Sequence, residues 1–208
     1  MLIITDCIQD DYEKVLTLAK KFCMSDDRFS VYWQENAGSG PARNAGLKKA
    51  TGDYIAFVDP DDFLIPNYLE MLLNAMLVND VDFVTSKYRT LYTYDNGSVA
   101  RKSEVEVNGE YRFVPIQSAD IVVKGIQNVR DKFPWLIINN YIDSPHCKLF
   151  KREIIKNNNL LFPDLRRSQD IVFNMRHFEH ISSFCVMGQK AYVYRIVDGQ
   201  MAKRIPPY

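Results

Sequence analysis

At 208 residues the chain can bury one good core, or one domain with a small appendage. Its 26 Lys and Arg balance 26 Asp and Glu, so charge gives no case for nucleic acid or an anionic membrane as partner. Four scattered cysteines (Cys7, Cys23, Cys147, Cys185) form no C-x-x-C pair, which points to free thiols and away from a disulfide framework or a zinc site. No apolar run reaches the roughly 20 residues of a membrane span. The start M-L-I-I-T-D lacks the basic and apolar regions of a signal peptide. The expected location is cytoplasmic, or peripheral at the inner face of the membrane.

Leu2 to Thr5 is apolar and β-branched and predicts a strand with Asp6 at its tip. Asp10 to Phe22 sets Val15, Leu16, Leu18, Ala19 and Phe22 on one helical face, and Phe29 to Trp33 alternates as a strand. Gln34 to Gly46 (Q-E-N-A-G-S-G-P-A-R-N-A-G) holds three of the nine glycines. Ser39 or Gly40 is expected to cap a helix with Pro41 at its first position, running to about Ala50 and stopping at Gly52. Ile55 to Val58 predicts a strand buried on both faces and stopped by Pro60, which cannot donate to a ladder.

Further on, the spacing predicts a helix over Pro66 to Leu77, a strand over Val81 to Ser86, and a hairpin over Tyr88 to Val107 turning at Asp95-Asn96-Gly97. Helices are expected over Gln117 to Gly125, Lys148 to Asn157 and Asp170 to Ile181, while Phe133 to Asp143 shows no assignable period. Ser183 to Tyr194 reads as extended, and the tail from Asp198 as loop. Strand and helix alternate with short connections, the pattern of an α/β sandwich with a largely parallel sheet. One domain over residues 1–208 is expected.

The stretch T-G-D-Y-I-A-F-V-D-P-D-D (Thr51 to Asp62) sets Asp59, Asp61 and Asp62 at the end of a strand, the edge where open α/β sheets bind ligands. Clustered carboxylates repel unless a positive group sits among them, and hard oxygen ligands suit Mg²⁺ or Mn²⁺. The plainer alternative is a helix N-cap at Asp62 beside two solvated turn acids.

The run N-A-G-S-G-P-A-R-N-A-G-L-K-K-A-T-G-D-Y-I-A-F-V-D-P-D-D, about 27 positions from Asn36 to Asp62, resembles the core of the inverting family 2 glycosyltransferases of GT-A fold. K-L-F-K-R-E-I-I (Lys148 to Ile155) resembles that family's K-L-[FY]-[KR]-R-E, and L-F-P-D-L-R-R-S-Q-D-I-V-F-N (Leu161 to Asn174) its L-x-F-P-x-…-E-D-x-x-F, with Gln169 in place of the usual acid. The resemblance implies a GT-A-like (Rossmann-like) three-layer α/β sandwich with a mostly parallel central sheet and a small mixed C-terminal part. Residues 1–87 would form the nucleotide-sugar-binding half and 88–208 the acceptor-side half. It implies sugar transfer from a nucleotide donor, UDP-linked, to a saccharide or lipid-linked acceptor, with inversion.

Residue roles follow from the same resemblance. Asp61, then Asp59, would hold Mn²⁺ or Mg²⁺ against the diphosphate, with Asp62 behind them. Asp6 would accept the N–H of the base, or stand as a turn residue. Arg43 would reach uracil, ribose or phosphate, or form a surface ion pair. Asn44 and Gly46 would serve helix packing near the sheet. Asp170 would take the acceptor's proton, while also complementing the dipole of the helix it opens. Lys148 and His146 fall on the acceptor side, although a plain surface lysine is the alternative for Lys148. Arg195, Lys203 and Arg204 would close over the diphosphate. His177 and His180 lack a third ligand and read as ordinary helix residues.

Family members usually carry a strand of the type V-S-V-I-I-P-x-Y-N ahead of the one matched by Met1 to Ile4. The expectation is therefore a fragment, a misplaced start, or a truncation whose open sheet edge pairs with itself or another chain. A rival function is a non-catalytic nucleotide-sugar- or glycan-binding module. A nucleotidyltransferase is disfavoured, since no basic Gly-rich loop opens the chain.

Overall fold

In the computed structural model, which describes residues 2–7, 9–93, 99–101, 105–107, 110–112 and 118–197, strand and helix alternate from the start. First come β1 (Leu2–Cys7), α1 (Gln9–Ser25), β2 (Ser30–Glu35), α2 (Ser39–Lys49) and β3 (Tyr54–Ile55). Next are β4 (Phe63–Leu64), α3 (Tyr68–Asn79), β5 (Phe83–Thr85), β6 (Tyr88–Thr93), β7 (Val99–Arg101), β8 (Val105–Val107) and β9 (Glu110–Arg112). Then follow β10 (Ile121–Lys124), α4 (Ile126–Ile138), β11 (Lys148–Lys151), α5 (Arg152–Asn157), α6 (Gln169–Phe178), β12 (Ser183–Val186) and β13 (Tyr192–Val197). These elements gather into two compact units, each made of two stretches of chain: Met1–Ile55 with Lys151–His180, and Ala56–Phe150 with Ile181–Tyr208.

In the first unit β1 and β2 pair in parallel, from Leu2 opposite Ser30 to Cys7 opposite Glu35. Helix α2 lies against β1, where a Cβ on Gly46 would meet Ile4 Cγ1 at 3.5 Å. The cap of α2 is Gly38 at φ 94°, a conformation that favours glycine, so Ser39 and Gly40 already lie inside the helix. Pro41 still falls in the first turn, where its missing N–H costs nothing. A side chain at Gly40 would collide with Gln169 of α6. Asn44 binds the Phe162 main chain twice, donating to its carbonyl at 2.9 Å and accepting its N–H at 2.8 Å. Phe162 in turn stacks on Phe173 of α6 at 4.1 Å.

In the second unit four strands run side by side in the order β10-β12-β5-β11. β12 is parallel to β5, with Phe184 opposite Phe83, while β10 and β11 are antiparallel to their neighbours, so the sheet is mixed. A second sheet has the order β4-β13-β6-β7, with β13 parallel to β6, and β8 and β9 pair antiparallel. Leu72, Met76, Val81, Phe83, Phe150 and Phe184 are at most 1% exposed. Each such side chain contributes about 1.5–3 kcal/mol by leaving water. Among the described residues no helix is long and apolar enough to cross a membrane.

Three expectations need correction. The strand expected over Ile55 to Val58 is only Tyr54–Ile55; Val58 is 43% exposed, and the chain is already entering the turn at Asp59. Gln117 to Gly125 holds strand β10, because β-branched Ile121, Val122 and Val123 pair with β12, and Gly125 (φ 94°) caps the following helix. That helix, α4, covers much of the unassigned stretch and tolerates Pro134 inside it. The single helix expected over Lys148 to Asn157 divides into β11, drawn out by its buried pairing with β5, and the short α5. The Tyr88–Val107 hairpin appears as β6 paired with β7, while its Asp95-Asn96-Gly97 turn and the tail from Asp198 lie outside the described residues.

Candidate active site

Asp59 to Asp62 forms a tight turn with Pro60 in its second position, closed by the Asp62 N–H donating to the Asp59 carbonyl at 3.2 Å. The helix that follows is capped by Asn67 and begins at Tyr68, so Asp62 is not its cap. The turn is instead fastened to β13. The Tyr192 hydroxyl accepts the Asp59 N–H at 3.1 Å and donates to Asp62 Oδ2 at 2.6 Å. The Arg195 N–H donates to Asp62 Oδ1 at 2.9 Å, and Arg195 Nε donates to the Asp61 carbonyl at 2.7 Å. Burial raises the Asp62 carboxyl above the usual carboxylate range, against the opposing pull of Tyr192 and Arg195. The buried Tyr192 hydroxyl, beside that carboxylate, is pushed well above the ordinary phenol range.

His146 completes this cluster. Its side chain is 7% exposed, and its ring stacks on Tyr192 at 4.7 Å and 9°, lies near-parallel to Tyr194 at 6.0 Å, and meets Tyr88 edge-on at 5.8 Å. Its Nδ1 is 3.6 Å from Asp59 Oδ2. Donor atoms of Asp59, Asp62 and His146 all lie within 4.8 Å of one another. Both imidazole nitrogens are buried without a hydrogen-bond partner among the described residues, which leaves a lone pair for a cation. Two carboxylates and one imidazole fit Mn²⁺ better than Mg²⁺, which prefers oxygen throughout.

The first unit holds a separate constellation. Arg43 Nη1 donates to Asp170 Oδ1 at 2.6 Å, with the two side chains 15% and 27% exposed, and the same guanidinium lies 5.4 Å over the Phe162 ring. Asp170 stands in the first turn of α6, next to Gln169, whose Nε2 donates to Ser39 Oγ at 2.6 Å.

The structure therefore brings Arg43 to Asp170, and Asp59 to Asp62 and His146. Asp61 takes part through its main chain in the contact with Arg195. Lys148 is not the surface lysine of the plainer reading: it is 1% exposed and donates to the His146 carbonyl at 3.2 Å. Asp6 lies on β1 opposite Gln34, and its side chain is outside the described residues, as are Lys203 and Arg204. His177 is buried within α6, and His180 follows that helix. The sequence reading missed Tyr192 and Tyr194. Their only signal is the alternation A-Y-V-Y, which sets both rings on one face of a strand.

Against this geometry, the family model described as Glycosyl transferase family 2 matches residues 1–158. Glycosyltransferase GlyG of Streptococcus pneumoniae is 29% identical over 187 residues, covering 88% of this chain and 57% of that protein. The Escherichia coli protein named UDP-Glc:alpha-D-GlcNAc-diphosphoundecaprenol beta-1,3-glucosyltransferase WfgD is 38% identical over 94 residues, 45% of this chain and 36% of its own. The crystal structure of S. aureus TarS 1–349 in complex with UDP-GlcNAc matches with TM-score 0.70 at 22% identity, over 99% of this chain and 52% of that one. That likeness shows the fold, an α/β architecture of GT-A type. The chain spans about half the length of the curated relatives it matches along most of its own length. With the family pattern running from the first strand through α5, the chain belongs to glycosyl transferase family 2.

Proposed function

We propose that this chain moves a sugar from a UDP-linked donor to a saccharide or lipid-linked acceptor, with inversion and with help from a divalent cation. The observation that carries the reading is the gathering of Asp59, Asp62 and His146 donor atoms within 4.8 Å in a family 2 chain. The UDP-linked donor is supported by the glucose donor in WfgD's name and by the UDP-GlcNAc bound to TarS.

Asp59, Asp62 and His146 would hold the ion, Mn²⁺ ahead of Mg²⁺, a set that differs from the Asp61 and Asp59 pair expected from sequence. When bound, the cation neutralises charge on the diphosphate leaving group as a Lewis acid. Tyr192 and the Arg195 main chain aim the Asp62 carboxylate. Asp61 and Asp6 are assigned to donor recognition, at ribose and base. Asp170 is assigned as general base: it takes the acceptor hydroxyl's proton as that oxygen bonds to the anomeric carbon and the bond to UDP breaks. Arg43 holds the Asp170 carboxylate in place, and His146 belongs to the cation rather than to the acceptor. A cytoplasmic or inner-membrane-face location suits a nucleotide-linked donor and the free thiols at Cys23, Cys147 and Cys185.

Calorimetric titration of UDP, then GDP, with and without Mn²⁺, beside Asp62→Asn, tests this reading. Mn²⁺-dependent binding of UDP that the substitution removes is the expected result. Failure of both nucleotides to bind with Mn²⁺ present would overturn it.

A further inference from the structure

His146 owes its place to an unusual piece of backbone. Cys147 sits at φ 61°, in the left-handed region that side-chain-bearing residues seldom occupy. Its carbonyl accepts the Ser86 N–H at 2.9 Å, and the ladder with β5 continues from Lys148 opposite Thr85. The His146 carbonyl, on the far side of the left-handed residue, belongs to a buried residue and needs its own donor. Lys148 Nζ supplies it at 3.2 Å, curling back across Cys147. Lys148 is 1% exposed, and an ammonium is costly to bury, so its bond to the His146 carbonyl offsets part of that cost.

We infer that Lys148, acting with the left-handed Cys147, is the positioning residue that fixes the His146 ring between Tyr192 and the Asp59–Asp62 turn. The inference rests on the cation reading above for its purpose, and on the geometry alone for its existence. Lys148 touches neither donor nor cation in this scheme. It closes a short loop, His146 carbonyl to its own ammonium, which stops the imidazole from turning away from the carboxylates.

The test uses the full chain with two variants, Lys148→Met and Cys147→Gly; glycine accepts the left-handed backbone but holds it less firmly. In metal-free protein the ring protons of His146 are read by NMR, with His177 and His180, the only other histidines, as internal controls. The stacked rings of Tyr192 and Tyr194 shift those signals, and each variant should move them toward the values of an unstacked imidazole. Lys148→Met should weaken Mn²⁺ binding about tenfold, and by less than about twofold once His146→Ala is present. Unmoved His146 signals in whichever variants fold would overturn the inference, as would equal Mn²⁺ losses in both backgrounds. Moved signals in the variants, together with a wild-type chain that does not bind Mn²⁺, would leave the positioning role standing and remove the cation reading instead.

Discussion

Arg43 and Asp170, 127 residues apart in the chain, meet at 2.6 Å through one guanidinium nitrogen and one carboxylate oxygen. The pair joins the A-R-N helix to the helix opened by Q-D-I-V-F, and Asn44, one residue on, binds the Phe162 main chain twice. Neither partner is well solvated, so this charge-assisted bond is worth about 1–2 kcal/mol, above a typical surface ion pair. Arg43 is thus engaged with the proposed base, in an ion pair, one of the two readings its motif offered.

Replacing Asp170 with Asn should abolish the proton transfer and spare the donor. Turnover is expected to fall about 10²–10⁴-fold while UDP binding stays within about threefold of wild type. Arg43→Gln should lower turnover less and reduce stability by about 1–2 kcal/mol, as read from urea unfolding. Turnover that survives Asp170→Asn would remove the base assignment. A chain that binds UDP without turnover in either form would behave as a binding module.

The choice of cation ligands is open to direct ranking. Manganese affinity, followed by the paramagnetic signal of the free ion, should drop at least about tenfold for Asp62→Asn and for His146→Ala, and less than about threefold for Asp61→Asn. The reverse order, with Asp61 dominant, would restore the pairing of Asp61 with Asp59 expected from sequence.

Much of the fold was readable because local signals and packing agree. The first four elements follow apolar periodicity and glycine or proline punctuation, and the family pattern runs through them. The misreadings have separate causes: the chain after Ile55 runs early into the turn at Asp59, and the β-branched run Ile121 to Val123 is a strand, not a helix. At Lys148-Leu149-Phe150 a helix-compatible sequence is held extended by buried pairing with β5, a tertiary effect outweighing propensity. The site was half legible. The acids declare themselves by clustering, but a D-P-D-D turn has no period, so which carboxylate faces which neighbour is decided by Tyr192 and Arg195, 130 or more residues away. His146 carries no motif that ties it to Asp59; the aromatic stack from β13 and the main chain bonded by Lys148 hold it there.

The thiols should divide cleanly in reactivity. Cys147 and Cys185 are buried, and burial foremost pushes both up to about 12, with acidic neighbours adding to the effect. At pH 8 roughly one in 10⁴ of such groups would be thiolate, the form that alkylates. Iodoacetamide should label the half-buried Cys23 and leave Cys147 and Cys185 unmodified until urea unfolds the chain. Mass spectrometry of the peptides checks this, and rapid native labelling of Cys147 would contradict the described burial.

Asp62 should leave a mark on the pH dependence of stability. Burial raises its carboxyl in the folded chain above the unfolded value, so the native state holds the proton to higher pH. Between those two values the folded form binds more protons than the unfolded form, and stability falls as pH rises through the window. Asp62→Asn removes that contribution, so the wild-type minus mutant difference should decline from about pH 4 upward and level off above the folded value. Tyr192→Phe acts in the opposite sense to the removal. The Tyr192 hydroxyl is a hydrogen bond that pulls Asp62 down, so its loss should raise the carboxyl further and extend the declining window to higher pH. A bound cation requires the ionised carboxylate, so Mn²⁺ should stabilise the wild type more at pH 7 than at pH 4. Melting temperatures of the three proteins across that range, with and without Mn²⁺, test the whole scheme. A wild-type minus Asp62→Asn difference that rises with pH would mean that the carboxylate is stabilised in the fold, and that the Tyr192 and Arg195 contacts outweigh its burial.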